Sequence, residues 1–425
     1  MFLNTQRTLL RGRTLLALVA VGTAAVTLAA CSSTGSSGSS GSASGPVTVG
    51  ELFPFTGAKA QLSDWGTHGV DTGMYEVNHN GGVLGQQMKS VSADDAADSV
   101  DALPALRKLL LSDPKVVIGP FSPTIEAVIN QFTPNHVADF MMGGTAQLDN
   151  MNVPYVFRTF SSDSTEAVAM AYYAIQKGYK TASLIFDNSA NSQGFVAPLT
   201  AAYKKLGGTV LATNTIVPAQ SSYRSELVNS FANHPQVVFS SFDTQTASTL
   251  WSNAGQLGYL NTPWVADDLA AGAEYAKAFG PTAPTNLMAA LPASPTEPAY
   301  QHFLDDYNAL FHTNTPLSTT PNSYDAVVIS ALAMTEAKST DPKVWASHVT
   351  TVASPPGEIC SDYATCVGLL KAGKKINYEG AGGSNDFNAH HNVFGDFSIV
   401  GFQPDLTTTK QVGQVTADQV AKNAG

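Results

Sequence analysis

Four side chains that could hold a charged solute follow short apolar runs in this chain. Ser122 and Thr145 each come shortly after such a run, and Asp267 and Asp268 directly follow another that ends at Ala266. Hydroxyl groups and the backbone N–H groups at a helix start bind carboxylates, whereas a buried ammonium group needs an acidic partner. These residue types favour binding of a small zwitterion or a similarly polar solute. The alternatives are that Ser122 only caps a helix and that the two acids are solvated loop residues.

Familiar catalytic and metal-binding patterns are missing from the sequence. It has no Gly-x-Ser-x-Gly elbow, and His390-His391 lacks both His-x-x-x-His spacing and a Cys-x-x-Cys partner. Asp94-Asp95 could pose as paired carboxylates, but the pair ends a predicted strand and is interpreted as structural. Because no nucleophile, base and orienting group can be assembled, we expect a binding protein that is not an enzyme and uses no metal or cofactor. A lipid-anchored enzyme is the alternative.

The N-terminus predicts export and membrane anchoring. Three arginines precede an apolar run over residues 15–30, which is shorter than the ~20 residues of a membrane span. The run ends in Leu28-Ala29-Ala30-Cys31, which resembles the bacterial lipobox, whose cysteine is diacylated. We expect a signal peptide over 1–30, then lipidated Cys31 with a flexible Gly/Ser linker over 31–46, and an extracytoplasmic, lipid-anchored protein. The alternative is an ordinary signal peptide with an incidental cysteine.

The composition excludes some classes of partner. Removing residues 1–30 with their three arginines leaves 395 of the 425 residues and takes the formal net charge from −11 to −14. No basic cluster remains after the linker, which argues against binding to nucleic acid or to anionic lipid surfaces. A chain of this length is long enough for two domains.

Two further cysteines are predicted to pair. Cys360 and Cys366 have five residues between them and would lie outside the cytoplasm, where thiols oxidise. We expect a disulfide that closes a small loop and acts locally. The alternative is two buried free thiols.

Strands and helices are predicted to alternate along most of the chain. Such alternation indicates right-handed βαβ units and parallel sheets, and two successive series indicate two α/β lobes. Ligands of open parallel sheets bind at the carboxyl ends of the strands, so the site should lie in the cleft between the lobes. The predicted strands are 47–53, 87–93, 115–119, 138–142, 181–186, 209–216, 236–240, 262–266 and 396–402, and the predicted helices are 69–80, 99–112, 122–132, 194–206, 223–232, 246–257, 299–311 and 323–337.

An ordered series of motifs runs along the chain. The motifs are Phe53-Pro-Phe-Thr-Gly57, Asn78-His-Asn-Gly-Gly-Val-Leu-Gly85, Asp94-Asp95, Val117-Ile-Gly-Pro-Phe-Ser122, Tyr155-Val-Phe-Arg-Thr159, Ile376-Asn-Tyr-Glu-Gly-Ala-Gly-Gly383 and Asp386-Phe387. The series resembles the extracellular solute-binding proteins of the leucine/isoleucine/valine-binding type, the receptors of ABC importers, and the resemblance covers residues 47–404. It implies a two-lobed type I periplasmic-binding-protein fold, with lobe 1 over 47–160 and 292–392, lobe 2 over 161–291 and 393–425, and a three-segment hinge.

The resemblance also implies roles for the polar loops. In such proteins the loop that contains Ser122 and the loop Gly143-Gly144-Thr145 hold the α-carboxylate and ammonium of the ligand. Asp268 matches the acid that receives the ammonium, with Asp267 as the alternative because the register is uncertain by one residue. Pro123 stands where the family often has a second serine, so one usual carboxylate donor is missing.

Further site residues are expected to form the walls of the cleft. Trp65 and Phe242 occupy positions that the family fills with aromatic residues, and they would cover the ligand from opposite lobes. Asn191 stands where many relatives place a tyrosine, which makes that wall smaller and more polar. Tyr324, at the head of a predicted helix, is expected either to face the cleft or to pack in the core.

The resemblance implies capture without chemistry. A small polar solute, in first place an amino acid, would close the lobes over itself, and the closed form, expected to be a monomer, would be presented to the permease subunits of an ABC transporter. A sensor module of the same fold is one alternative. An amide, a urea-like compound or an aromatic acid as ligand is another.

Overall fold

The computed structural model of this protein describes residues 45–57, 59–271, 275, 286–293, 298–317, 319–402 and 409–424. The predicted signal peptide, Cys31 and the start of the linker lie outside these residues. Among the described residues, no helix has both the length and the apolar composition that crossing a bilayer requires.

The first lobe is built on a five-stranded parallel sheet. β1 is buried along its whole length, as expected when helices cover both faces of a parallel sheet. The strands lie in the order β2-β1-β3-β4-β5, and the helices α1 to α3 connect the first four. These elements are β1 (Val47–Phe53), α1 (Gln61–His79), β2 (Met88–Asp94), α2 (Ser99–Leu110), β3 (Val116–Ile118), α3 (Ser122–Asn135), β4 (Ala138–Met141) and β5 (Val156–Arg158).

The second lobe is built on a seven-stranded sheet in the order β15-β14-β10-β9-β8-β6-β7. β6 to β10 run parallel to one another, and β14 and β15 add an antiparallel edge. The elements are α4 (Asp163–Gln176), β6 (Thr181–Asp187), α5 (Ala190–Lys205), β7 (Thr209–Ile216), α6 (Arg224–Phe231), β8 (Val237–Ser241), α7 (Thr244–Leu257), β9 (Trp264–Ala266), β10 (Leu287–Pro292), β14 (Phe397–Phe402) and β15 (Thr409–Val415).

Between β10 and β14 the chain adds a second layer of helices to the first lobe. Phe303 and Tyr307 of α8 and Val327 of α9 share one hydrophobic cluster with Val49 of β1. A small three-stranded sheet of β11, β12 and β13 completes this part. The elements are α8 (Ala299–Phe311), α9 (Thr320–Ala337), α10 (Pro342–Trp345), α11 (Val349–Val352), β11 (Glu358–Cys360), α12 (Tyr363–Lys371), β12 (Ile376–Gly380) and β13 (Gly383–Ser384), and near the C-terminus α13 (Ala417–Asn423) packs against α4.

The chain passes between the two sheets three times. The passages lie between β5 and α4, between β10 and α8, and between Asn392 and β14. Arg158, at the end of β5, forms an isolated bridge with Asn392, so two passages start side by side. Pro292 pairs with Phe397 in the second sheet, so it belongs to the second lobe and not, as expected, to the first. The other lobe bounds stay a proposal.

The predicted strands and helices are present, but β5, β10 and, after α9, every described element except β14 are not predicted. α1 begins at Gln61 instead of residue 69, because its first turns contain Gly66 and lack a capping side chain, so they carry little helix signal. The sequence pattern does not predict α4. Ten of its 14 residues are buried, so it has no clear polar stripe to reveal the helix period.

Candidate functional site

A cavity of about 490 Å³ lies where the two lobes face each other. Trp65 of α1 and the start of α9 contribute from the first lobe. The segment after β9 and the end of β10 contribute from the second. The described lining residues are Trp65, Phe160, Asp268, Leu269, Ala271, Leu291, Pro292, Ala293, Tyr300, Pro316, Leu317, Thr319, Pro321, Asn322 and Gly382.

Trp65 and Asp268, two of the expected site residues, line this cavity together. They come from opposite lobes and lie 203 positions apart in the chain, so only the tertiary fold joins them. Asp268 is the one charged side chain among the described lining residues, and Trp65, Phe160 and Tyr300 give aromatic surface. The cavity can therefore hold an apolar body and one cationic group.

Asp268 belongs to an acidic cluster, which we define as Asp163, Glu166, Asp267 and Asp268. The backbone N–H of Asp268 donates to Glu166 Oε1 at 2.8 Å, and Ser241 donates to Asp267 Oδ2 at 2.6 Å. Asp163 and Glu166 belong to the first turn of α4. The end of β9 and the start of α4 thus place four carboxyl groups beside one edge of the cavity.

Burial raises the pKa values of all four carboxyl groups. It raises the pKa of Asp163 to about 8, with the Asp268 charge adding to the effect. Burial and the Asp268 charge likewise hold the pKa values of Glu166 and Asp267 well above the ordinary range, and burial raises the pKa of Asp268. Neutral carboxyls in this cluster would ionise when a positive charge arrives, because an opposite charge nearby favours the ionised form.

Ser122, Gly143 and Thr145 lie together in a second polar group. The backbone N–H of Thr145 donates to Ser122 Oγ at 3.2 Å, and the Thr145 hydroxyl is hydrogen-bonded to the side chain of Gln147. A side chain at Gly143 would collide with Ser122, and one at Gly144 would collide with the Asp163 carboxyl group. These two glycines therefore let the loop after β4 pack against both Ser122 and the acidic cluster, although the three residues are not part of the described cavity lining.

Three other expected site residues lie away from the cavity in this structure. Asn191 is exposed near the start of α5. Phe242 is fully buried and packs edge-on against Trp251 at 5.7 Å between ring centres. Tyr324 is also fully buried, and its hydroxyl donates to Glu76, so its placement favours core packing over a position in the cleft.

A family model described as "Periplasmic binding protein" matches residues 46–403 of this chain. The chain belongs to the periplasmic binding protein family. The family predicted from the motifs is thereby confirmed, as is the two-lobed α/β architecture of the type I fold.

Comparisons place this periplasmic binding protein beside amino-acid receptors by name. It is 25% identical over 180 residues to the Leu/Ile/Val-binding protein BraC3 of Rhizobium johnstonii, covering 42% of this chain and 49% of that protein. It is 24% identical over 364 residues to the chemotactic signal transduction system substrate-binding protein BasB of Halobacterium salinarum, covering 81% and 84%. The leucine binding protein LivK of Thermotoga maritima superposes with a TM-score of 0.70 at 17% identity, covering 88% and 99%. The match thus spans about half the length of the first relative, and at this identity the superposition shows the fold alone.

Several residues at the site of this periplasmic binding protein are not found by sequence reasoning. Phe160 and Tyr300 line the cavity, and Asp163 and Glu166 extend the acidic cluster. Phe160 directly follows the motif Tyr155–Thr159, so its position after a strand was a usable signal. An acid within an otherwise Ala-rich stretch, as at Glu166, was another, because a buried carboxylate is costly unless it serves a purpose.

A second cluster of titratable residues lies outside the cavity of this periplasmic binding protein. His302 Nε2 lies 3.1 Å from Glu76 Oε1 and 3.6 Å from Asp306 Oδ2. Glu76 also accepts from the Tyr324 hydroxyl and from the Tyr363 backbone N–H. The hydrogen bond to Glu76 is the main reason why the pKa of His302 rises to about 9. These contacts connect α1, α8, α9 and α12.

The two cysteines of the C-terminal half lie at bonding distance. Their sulfur atoms are 2.09 Å apart, and the pair joins the end of β11 to α12. Both residues are buried in the cluster that includes α9, so the cross-link acts within the first lobe and leaves the passages between lobes unconstrained.

Proposed function

We propose that this periplasmic binding protein captures a small polar solute, in first place an amino acid, in the cavity between its lobes. The observation that carries this proposal is the cavity that joins Trp65 of one lobe to Asp268 of the other. The names of BraC3 and LivK, which refer to branched-chain amino acids, support the ligand class. Capture without chemistry fits a site that has binding groups from both lobes.

Each group has a proposed task. Asp268 receives the ammonium group, and Trp65 packs against the ligand body. Ser122 and the loop Gly143–Thr145 receive the carboxylate when the lobes close, because the Ser122 hydroxyl accepts a bond from Thr145 and keeps its own proton for a ligand. Asn191 and Phe242 would not contact the solute directly, because Asn191 is exposed and Phe242 lies in the core.

Closure requires that the solute bind the closed form better than the open one. Moving the population from 1:99 to 99:1 takes about 5.5 kcal/mol of such preference. Hydrogen bonds to charged groups contribute about 1.5–3 kcal/mol each, so two to four contacts made only on closure are sufficient. A site with donors on one lobe and an acid on the other provides such contacts.

The cellular context is part of the same proposal. Cys31 would be diacylated after export, and the Gly/Ser linker would tether the monomeric receptor to the outer face of the membrane. There the closed form would dock on the permease subunits of an ABC importer. The disulfide between Cys360 and Cys366 fits an oxidising compartment.

A sensor function is the second candidate. It is favoured by the match to BasB, which covers 81% of this chain and is named for chemotactic signal transduction. A sensor would use the same cavity and the same closure, but would dock on a signalling receptor. Deletion of the gene for this protein separates the two functions, since it abolishes solute uptake only if this protein feeds a transporter.

Asp268→Asn tests the proposed role of the acid. We expect the affinity for the amino acid that most raises the melting temperature of the wild type to fall by about 10- to 100-fold, as one charge-assisted hydrogen bond is lost. Isothermal titration calorimetry measures the effect, and Asp305→Asn on the exposed face of α8 is the matched control. Equal affinity of wild type and Asp268→Asn would rule out the ammonium role.

A further inference from the structure

The acidic cluster holds more carboxyl groups than one ammonium group requires. Asp163, Glu166 and Asp267 stand behind Asp268, and the charges of Asp163 and Asp267 act on Glu166 as well. Arg158, a cation whose charge reaches Asp163, is already paired with Asp149 at 2.6 Å. The cluster therefore has no free cation of its own among the described groups that act on it.

Two oxygens of the cluster lack a hydrogen-bond partner among the described residues. They are Asp163 Oδ2 and Asp267 Oδ1, in side chains whose residues are 8% and 0% exposed. Both carboxyl groups lie close enough to Asp268 to feel its charge. Buried polar atoms are normally satisfied, so two unpaired carboxyl oxygens this close to Asp268 indicate a missing positive partner.

The described cavity lining is suited to a cation. It contains no Lys, Arg or His, and its aromatic residues Trp65, Phe160 and Tyr300 can pack against a cationic group or its apolar stem. A net negative charge on the ligand would be repelled by Asp268. The mature chain's strongly negative net charge would also attract cationic solutes from a distance.

The geometry argues against a single metal ion as this positive partner. Among the described residues, only Glu76, His302 and Asp306 bring three potential ligand atoms within 4.8 Å of one another. The carboxyl oxygens of the acidic cluster are too widely spaced to surround one ion. An organic cation, whose positive charge is spread or repeated along a chain, matches that spacing better.

We propose that the cleft selects solutes with a net positive charge, namely an ammonium-bearing chain such as a basic amino acid. The inference rests on the proposed function and deepens it by naming the ligand class. The ligand's positive groups lie against Asp268 and, on closure, toward the other carboxyl groups of the acidic cluster. Its apolar stem packs against Trp65.

Binding of a cation is coupled to the release of protons from the acidic cluster. A bound cation favours ionised carboxyls, and Asp163, with a pKa of about 8, is largely neutral in the empty protein below that pH. Binding therefore releases protons, and affinity rises as the pH increases from 6 to 8. Besides the cluster itself, Asp149 and Arg158 act on Asp163, and Asp187 acts on Asp267, so the measured release is that of the whole group.

Three matched ligands test the proposal by calorimetry on the exported chain at pH 6 and pH 8. Lysine carries two ammonium groups, norleucine replaces the side-chain ammonium with a methyl group, and cadaverine lacks the carboxylate. We expect lysine to bind at least about tenfold more tightly than norleucine at pH 8, which corresponds to about 1.4 kcal/mol, and to release protons, seen as a buffer-dependent heat.

The outcomes separate this inference from the proposed function. Norleucine that binds as tightly as lysine overturns the cation preference and leaves an amino-acid receptor. Cadaverine that binds as tightly as lysine supports the cation preference and overturns the amino-acid assignment. If none of the three binds, the cation preference falls, whereas the proposed function falls only if no amino acid raises the melting temperature.

Glu166→Gln provides the matched variant. It removes a carboxyl group that could ionise when a cation binds but keeps an oxygen to accept from the Asp268 backbone N–H. We expect the ratio of lysine to norleucine affinity to fall severalfold, whereas Asp101→Asn on the exposed face of α2 leaves the ratio unchanged. A merely structural role for Glu166 would weaken both ligands equally, and that result would overturn the proposal.

Discussion

At the scale of single residues, Glu76 joins four helices. It lies on α1 and contacts His302 of α8, Tyr324 of α9 and Tyr363 of α12. Its side chain is almost fully buried, so its carboxylate depends on these donors for stability. His302, which is partly exposed, supplies the balancing positive charge because its pKa is raised to about 9.

Replacing His302 by glutamine should make the stability less dependent on pH. The folded pKa of about 9 exceeds the unfolded value of 6.5, so the contribution of His302 is fully present below pH 6.5 and is lost as the pH rises through 9. Because the imidazole is partly exposed, solvent screening limits the contribution to about 1 kcal/mol. Urea unfolding of wild type and variant at pH 6 and pH 10 measures it.

The exposed His312→Gln at the end of the same helix is the control, and we expect no pH-dependent difference for it. A stability difference between wild type and His302→Gln that is the same at both pH values would contradict the assignment of a charged pair with Glu76.

At the scale of elements, the close packing of α1 against α9 positions Trp65 in the wall of the cavity. Thr320 of α9 donates to the Trp65 carbonyl oxygen at 3.1 Å. Gly69, one turn further along α1, faces the backbone of α9, and a Cβ there would lie 2.6 Å from Ser323 Cβ and 2.9 Å from Tyr324 N. A glycine is required at this contact because Tyr324 N and the Thr320 carbonyl oxygen, which a Cβ would also meet, are backbone atoms and cannot move aside.

Gly69→Ala should therefore destabilise the protein by about 1–3 kcal/mol, the usual cost of overpacking. Chemical denaturation measures the loss. Gly368→Ala in α12 is the matched control, because a Cβ at that exposed position meets nothing within 4 Å, and it should stabilise by about 0.5–1 kcal/mol. Equal effects of the two substitutions would contradict the close helix contact.

The element scale also shows what sequence reasoning could and could not predict. Alternating runs predicted most strands and helices up to α9, since burial of one face leaves a period in the sequence. They did not predict β5, β10 or, after α9, the described elements other than β14. α4 is buried on most of its surface and leaves no such period. The positions of aromatic residues were harder to predict. Trp65 lines the cavity, whereas Phe242 and Tyr324 lie in the core, and side-chain type alone cannot separate the two environments.

At the scale of the whole molecule, the two sheets have separate hydrophobic cores, and three passages of the chain connect the lobes. Val49 and Phe140 belong to one core, and Leu184 and Phe239 belong to another. Each lobe is thus stabilised internally and can move as a unit, with the passages as hinges. A solute that contacts both Trp65 and Asp268 would link the lobes.

Spin labels on the two cleft rims measure this movement most directly. Lys59 follows β1 and Gln245 opens α7, so both exposed positions lie near carboxyl ends of strands on opposite lobes. With cysteines introduced there and Cys31 replaced by serine, pulsed electron resonance with saturating lysine should give a shorter and narrower distance distribution than without it, and Asp268→Asn should lose this response. An unchanged distribution for a solute that calorimetry shows to be bound would contradict capture by closure of two lobes.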